Sequence, residues 1–274
     1  MDTVALTWAV GRRIPRRVAD LVARIVAPAA ALMSLPAVDA WAESVEIATG
    51  RAPTPRQRRL LLQAWIRNNL WSLSLARWST DEVLATVAVD DVDVARLRDS
   101  LAGPGLVAAL PHMGSWDFAG AWASRMGMSV VSVAERLPRG LYERFSEARR
   151  GMGIDIYPVD QPDVVRLLTD DVHAGRLVCL LADRDLSSRG VLVPWPGSGR
   201  DVAVARGPAH VALRSGADLR VVTTHFDGPR LRIEVSEPVE GESVEELMAG
   251  VARVFADAVS RHPESWLMLR RVFR

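Results

Sequence analysis

"LVAALPHMGSWDFAG", residues 106–120, decides how this chain is read. The run 106–110 is apolar throughout and reads as a buried strand. Pro111 and His112 end it, Gly114 and Ser115 follow, and the mixed apolar stretch from Ser115 onward reads as a helix. In an open α/β sheet, ligands bind at the loops that leave the carboxyl ends of the strands. His112 is expected in such a loop.

The same alternation continues to the C-terminus. Apolar runs at 129–133, 154–158, 177–182, 191–193, 219–224 and 231–235 read as further strands, and helical patterns fall at 115–126, 141–151, 163–174, 208–215 and 243–261. This order predicts an α/β fold with a central mostly parallel or mixed sheet flanked by helices. Residues 1–80 read as a helical N-terminal extension, with Thr54 as an N-cap and Pro55 in the first turn of one helix. The acidic stretch 81–105 has room for a short strand and a helix. The expected division is a membrane-associating extension at 1–80 and one compact α/β unit at 81–274.

A chain of 274 residues is long enough to bury a sizeable core. Its net charge of +1 gives no electrostatic case for nucleic acid. Every basic side chain other than histidine is Arg, since the sequence has no lysine. The one cysteine, Cys179 in "LVCLLAD", reads as a core residue and cannot form an intrachain disulfide. Near the start, Arg12, Arg13, Arg16 and Arg17 precede an apolar stretch that Asp20, Arg24, Pro28 and Pro36 interrupt. The apolar run is shorter than the roughly 20 residues of a spanning helix. A basic, apolar helix of this kind fits the plane of an anionic membrane surface. Packing of the same helix on the domain is an equal alternative.

His112 and Asp117 form an H-x4-D pattern. On one continuous helix they would point about 140° apart, but they can meet if His112 lies in the loop and Asp117 in the first helical turn. There Ser115 would be the N-cap, and the carboxylate could fix the imidazole's tautomer. The pattern alone is one that chance readily produces. Two other predicted strands also run into charge: "LLADRDLSSRG" places Asp183, Arg184 and Asp185 at one strand end, and "VSVAERLPRG" places Glu135 and Arg136 at another. The helix after the latter carries Arg149. Arg206 stands just before a helix start at Gly207-Pro208, where a phosphate can bind. A plain loop is the competing reading there, and surface ion pairs are the competing reading for the charged strand ends. His173, His210 and His225 look isolated, His262 reads as a helix-end residue, and no metal-ligand spacing occurs. No metal and no cofactor are expected.

The segments "LPHMGSWDFAG", "VAERLPRGLYERF", "LLADRDLSSRGVLV", "ARGPAHVALRSGADL" and "HPESWLMLRRVF", in this order, resemble the bacterial lysophospholipid acyltransferase group that includes the lipid A lauroyl acyltransferases. Within it they are most similar to the actinobacterial phosphatidylinositol mannoside acyltransferases. The resemblance covers about residue 55 to the C-terminus. It implies an acyl-CoA-dependent O-acyltransferase, peripheral at the cytoplasmic face of the plasma membrane, with a glycolipid acceptor whose mannose hydroxyl takes a long-chain acyl group. It also implies catalytic roles for His112 as general base, Asp117 and Asp183, and substrate-binding roles for Glu135, Arg149, Arg184 and Asp185. Arg206 joins the substrate-binding set through its place before a helix. Acyl-CoA is then a substrate. The chain departs from the pattern at "PWPGSGRD", where the family often has an aromatic segment, and at Leu267, where closely similar enzymes carry a His. A different lysophospholipid or glycolipid acceptor, or a non-catalytic lipid-binding protein on the same scaffold, are the alternatives.

Overall fold

The alternating elements assemble around one strand, residues Leu106–Leu110 (β2), whose side chains are buried on both faces. The structure, a computed structural model, describes residues 10–136, 140–185 and 189–273. The remaining strands are β1 (Val87–Val89), β3 (Val130–Ala134), β4 (Ile154–Pro158), β5 (Leu177–Leu181), β6 (Val191–Trp195), β7 (Arg200–Val204), β8 (Asp218–Asp227) and β9 (Arg230–Pro238). Seven of them form the central sheet in the order β1-β9-β8-β2-β5-β3-β4. Neighbours run parallel throughout, apart from the antiparallel β8–β9 hairpin. The fold is therefore α/β with a mixed, mostly parallel sheet, as the alternation predicts. β6 and β7 form a separate antiparallel pair. The second strand of this pair is not among the strands expected from the sequence, and the first extends two residues beyond the expected 191–193.

The helices are α1 (Arg16–Ala31), α2 (Pro36–Thr49), α3 (Pro55–Ser74), α4 (Thr80–Thr86), α5 (Asp91–Ala102), α6 (Trp116–Arg125), α7 (Leu141–Gly151), α8 (Val164–His173), α9 (Gly207–Ser215) and α10 (Val244–Arg261). Alternate residues of β2 serve two cores. Val107 and Ala109 pack with α8, α9 and α10, while Leu106, Ala108 and Leu110 pack with Phe118 and Trp122 of α6 and with Trp71 of α3. A strand covered on both sides has no polar face, which is why it reads as an unbroken apolar run. Thr54 and Gln57 close a reciprocal capping box at the start of α3. The thiol of Cys179, packed in β5, is pushed up to about 12 by burial, consistent with a core role.

The N-terminal helix α1 divides its faces by residue size. Ala19, Asp20, Ala23 and Ala27 are buried. Asp20 accepts a hydrogen bond from Trp71 Nε1 at 3.1 Å and pairs with Arg67 Nε at 3.0 Å. Val18, Leu21, Ile25 and Val26 face outward, and Leu32 beyond the helix end is 90% exposed. The charge that seemed to interrupt the helix is thus an internal ion pair, and the larger aliphatics are the exposed ones. No single described helix is long and apolar enough to cross a membrane. α1 and α2 together have the length and apolar composition of a span, but they are bent by 85° at the break between them.

Candidate active site

The carboxyl ends of β2 and β5 lie side by side, and the Ala182 N–H donates to Leu110 O at 2.8 Å. The next residues of the two strands are therefore juxtaposed. Asp183 is fully buried there. Its Oδ1 faces His112 Nδ1 at 2.5 Å, and its Oδ2 accepts the His112 backbone N–H at 2.9 Å and Trp266 Nε1–H at 2.9 Å. Burial by itself raises the carboxyl's pKa, but the His112 charge and these hydrogen bonds outweigh it and hold Asp183 below its usual range. With Nδ1 turned to the carboxylate, Nε2 is the ring nitrogen left for a substrate. Trp116 packs edge-on against the ring, with centroids 5.2 Å apart.

The loop that carries His112 is clamped from two sides. Thr224 Oγ1 of β8 accepts the Ser115 N–H at 3.0 Å and donates to Met113 O at 2.7 Å. The segment after α10 pairs along the loop: Gly114 N–H donates to Ser265 O at 2.9 Å, and Leu267 N–H donates to His112 O at 2.7 Å. Gly114 has φ +55°, and a Cβ there would lie 2.5 Å from Thr224 Oγ1. Only glycine fits that approach. Ser115 is the N-cap residue of α6, as expected, but its side chain makes no cap hydrogen bond, and its backbone N–H is held by Thr224.

The other site residues fall into separate groups. Asp117 stands in the first turn of α6, and its Oδ1 accepts from Arg149 Nε of α7 at 2.8 Å. Its partner is thus Arg149, while the residue that meets the imidazole is Asp183. Arg184 approaches Glu135 at 3.8 Å. Burial, then the nearby Arg270 charge, lower the Arg184 pKa, and Glu135 and Asp183 oppose this. Asp185 turns to the β6 hairpin, where its Oδ2 accepts the Gly190 N–H at 2.9 Å. Arg206 is exposed at the start of α9 and donates to His210 Nε2 at 3.1 Å. Its neighbour Ala205 donates to Ala182 O at 3.0 Å, so this helix start does flank the β5 end. Trp266, which the sequence reading gave no role, is the residue it missed. Its signal is a tryptophan in a charged tail, "HPESWLMLRR", where a large ring needs a pocket and its N–H an acceptor.

One further expectation changes. Arg16 is not a free surface charge: it donates to Thr86 Oγ1 at 2.6 Å and Pro229 O at 2.5 Å. Trp71 is buried, whereas Trp65 is partly exposed. The histidines are also less isolated than their spacing suggests. His225 and His262 stack with ring centroids 3.7 Å apart, beside Glu234. Burial first, and His262 second, push His225 down to about 4.

The sequence model of the bacterial lipid A biosynthesis acyltransferase family matches residues 64–274. A phosphatidylinositol mannoside acyltransferase from Mycobacterium tuberculosis is 35% identical over 174 residues, covering 62% of this chain and 54% of the relative. Its counterpart from Mycolicibacterium smegmatis is 34% identical over 189 residues, covering 66% of this chain and 61% of the relative. The aligned part of the chain thus spans little more than half the length of these curated relatives.

Proposed function

This chain belongs to the bacterial lipid A biosynthesis acyltransferase family, and we propose that it moves a long-chain acyl group from acyl-CoA to a mannose hydroxyl of a phosphatidylinositol mannoside. The observation that carries the reading is the His112–Asp183 pair, which leaves Nε2 as the open basic atom at the carboxyl edge of the sheet. A sugar hydroxyl is a weak nucleophile, and a thioester carbonyl is already activated. His112 Nε2 takes the hydroxyl proton as the oxygen attacks the carbonyl. Asp183 stabilises the resulting imidazolium, and Trp266 and the His112 amide keep that carboxylate ionised and in line. The proton then leaves with the CoA sulfur. No protein nucleophile is needed.

The tetrahedral oxyanion needs donors. Met113, Gly114 and Ser115 amides are engaged inside the protein. The first-turn amides of α6 beyond Ser115, which have no acceptor within the helix, supply the donors. Asp117 acts through Arg149: their ion pair ties the start of α6 to the end of α7. Arg184 and Arg206 flank the β5 end and serve the phosphates of the donor or acceptor, the task guanidinium geometry suits; Glu135 sets the position of Arg184, and Asp185 fixes the β6 hairpin. Release of free CoA from palmitoyl-CoA is expected to require a mannosylated phosphatidylinositol. Lysophospholipids and unmannosylated phosphatidylinositol should leave it at the background rate. A silent lipid-binding protein would release no CoA with any acceptor.

The reading extends to a peripheral site on an anionic membrane, residues 1–80 being the part that meets it. Both substrates are amphiphiles, and an enzyme held at the interface need not extract them into water. Leu21, Ile25 and Leu32 supply an outward apolar surface, and Trp65 of α3 adds a second exposed apolar group. Arg12 and Arg17 are exposed, and each basic residue near such a surface contributes about 1 kcal/mol. Removing the first 35 residues is the wrong test, because it strips Asp20 from buried Arg67. The surface variant Arg17→Glu/Ile25→Ser keeps that pair. Wild-type protein is expected to float with anionic liposomes less strongly as salt rises, and the variant to stay in solution. Equal flotation of the two proteins would overturn the assignment of this surface.

A further inference from the structure

We propose that His225, Glu234 and His262 form a site for one divalent transition-metal ion of the zinc class, which braces the frame behind His112. The three residues come from β8, from β9 and from the C-terminal end of α10. One ligand atom from each lies within 4.8 Å of the other two. Two imidazoles and a carboxylate form a donor set that zinc uses, with a fourth position left for water. Neighbouring ligands of a tetrahedral ion with zinc–nitrogen bonds of about 2.0–2.1 Å sit about 3.3 Å apart, so ligand atoms up to 4.8 Å apart have to close by at most about 1.5 Å. The rings are near parallel, at 12°. A metal lies in the plane of each imidazole it binds, so the two rings fan apart by side-chain rotation as the ion enters. Among the described residues, no hydrogen bond engages either ring.

One contact opposes the ion. Arg261 holds both oxygens of Glu234, at 3.1 and 2.8 Å. It also donates to Asp257 at 3.0 Å, so it keeps an acidic partner when it yields Glu234. This competition gives the site a signed test, because removing Arg261 should strengthen metal binding.

The place of the cluster gives the ion its consequence. His225 follows Thr224, which grips Met113 and Ser115. His262 opens the turn Pro263–Ser265, whose Ser265 carbonyl accepts the Gly114 amide, and Trp266 follows to hold Asp183. The ion would tie together both arms that clamp the His112 loop. Its role is structural and independent of the acyl-transfer reading.

The test uses the full-length chain, stripped with chelator and titrated separately with Zn²⁺ and Co²⁺, with stoichiometry, affinity and melting temperature recorded. One saturable ion per chain, a higher melting temperature and intense four-coordinate Co²⁺ absorption are expected. His225 is buried, so the weight rests on the partly exposed ligands: Glu234→Gln and His262→Gln should each weaken binding about tenfold or more. Arg261→Gln should tighten it, and His173→Gln, at an exposed histidine elsewhere, should leave it unchanged. Absence of saturable binding to wild-type protein overturns the proposal. So does wild-type affinity in folded Glu234→Gln and His262→Gln proteins, or weaker binding in Arg261→Gln.

Discussion

His112→Ala is expected to lower acyl transfer by about 10²–10⁴-fold, the range that general-base assistance supplies, in a protein that still folds. The ring's Nδ1 is committed to Asp183, so Nε2 is the atom available to take the acceptor's proton. Alanine removes it and leaves the hydroxyl to attack unaided. The fold should survive because Asp183 retains two of its three donors, the backbone N–H of residue 112 and Trp266 Nε1–H, both at 2.9 Å. Far-UV circular dichroism and kcat/KM for acceptor-dependent CoA release check the two halves. Near-normal turnover in a folded variant would remove His112 as the base.

Asp183→Asn should cost activity on the same scale and stability as well. The amide cannot stabilise an imidazolium, and it offers one carbonyl where the carboxylate accepts from three donors. A buried donor left without an acceptor costs about 1–3 kcal/mol. The pH dependence has a definite sign. The folded Asp183 carboxyl lies below its usual value, held there against burial by His112 and Trp266. Its stabilising contribution is therefore present above the unfolded value of about 3.9. It is lost as pH falls through the folded value. Urea unfolding at neutral pH should find the Asn variant less stable, and the gap to wild type should narrow below about pH 4. A gap that stays constant down to acid pH would mean that Asp183 is not ionised in the folded protein.

What the sequence made legible follows from how far its signals reach. The strand–loop–helix at 106–120 is local, because a doubly covered strand is apolar at every position and its exit must be polar and turn-rich. The β6–β7 pair was half visible: β7 opens with exposed Arg200 and Asp201, which carry no strand signal, and only the antiparallel partner makes it a strand. H-x4-D points to the loop where the imidazole meets Asp183, but spacing alone could not divide its residues. Asp117 is near His112 in sequence and goes to Arg149; Asp183 is remote and goes to the imidazole. That sorting is made by the sheet, which sets the ends of β2 and β5 together. Trp266 and the His225–Glu234–His262 cluster stayed hidden for the same reason. Their partners come from separate elements, and no periodicity records which strand ends become neighbours. The N-terminal helix packs on the domain, one of the two readings that its sequence left level, and keeps an outward apolar face. Small residues at 19, 23 and 27 pack inward, and large aliphatics face out.

Mass spectrometry of the product formed from isotopically labelled palmitoyl-CoA and a mixed panel of lipid acceptors tests the central claim most directly. The account predicts one labelled palmitoyl group in ester linkage to a mannose of the phosphatidylinositol mannoside, made by wild-type protein and nearly absent with His112→Ala. Label found on the glycerol of a lysophospholipid instead, or the same mannose ester formed by the His112→Ala protein at the wild-type rate, would contradict it.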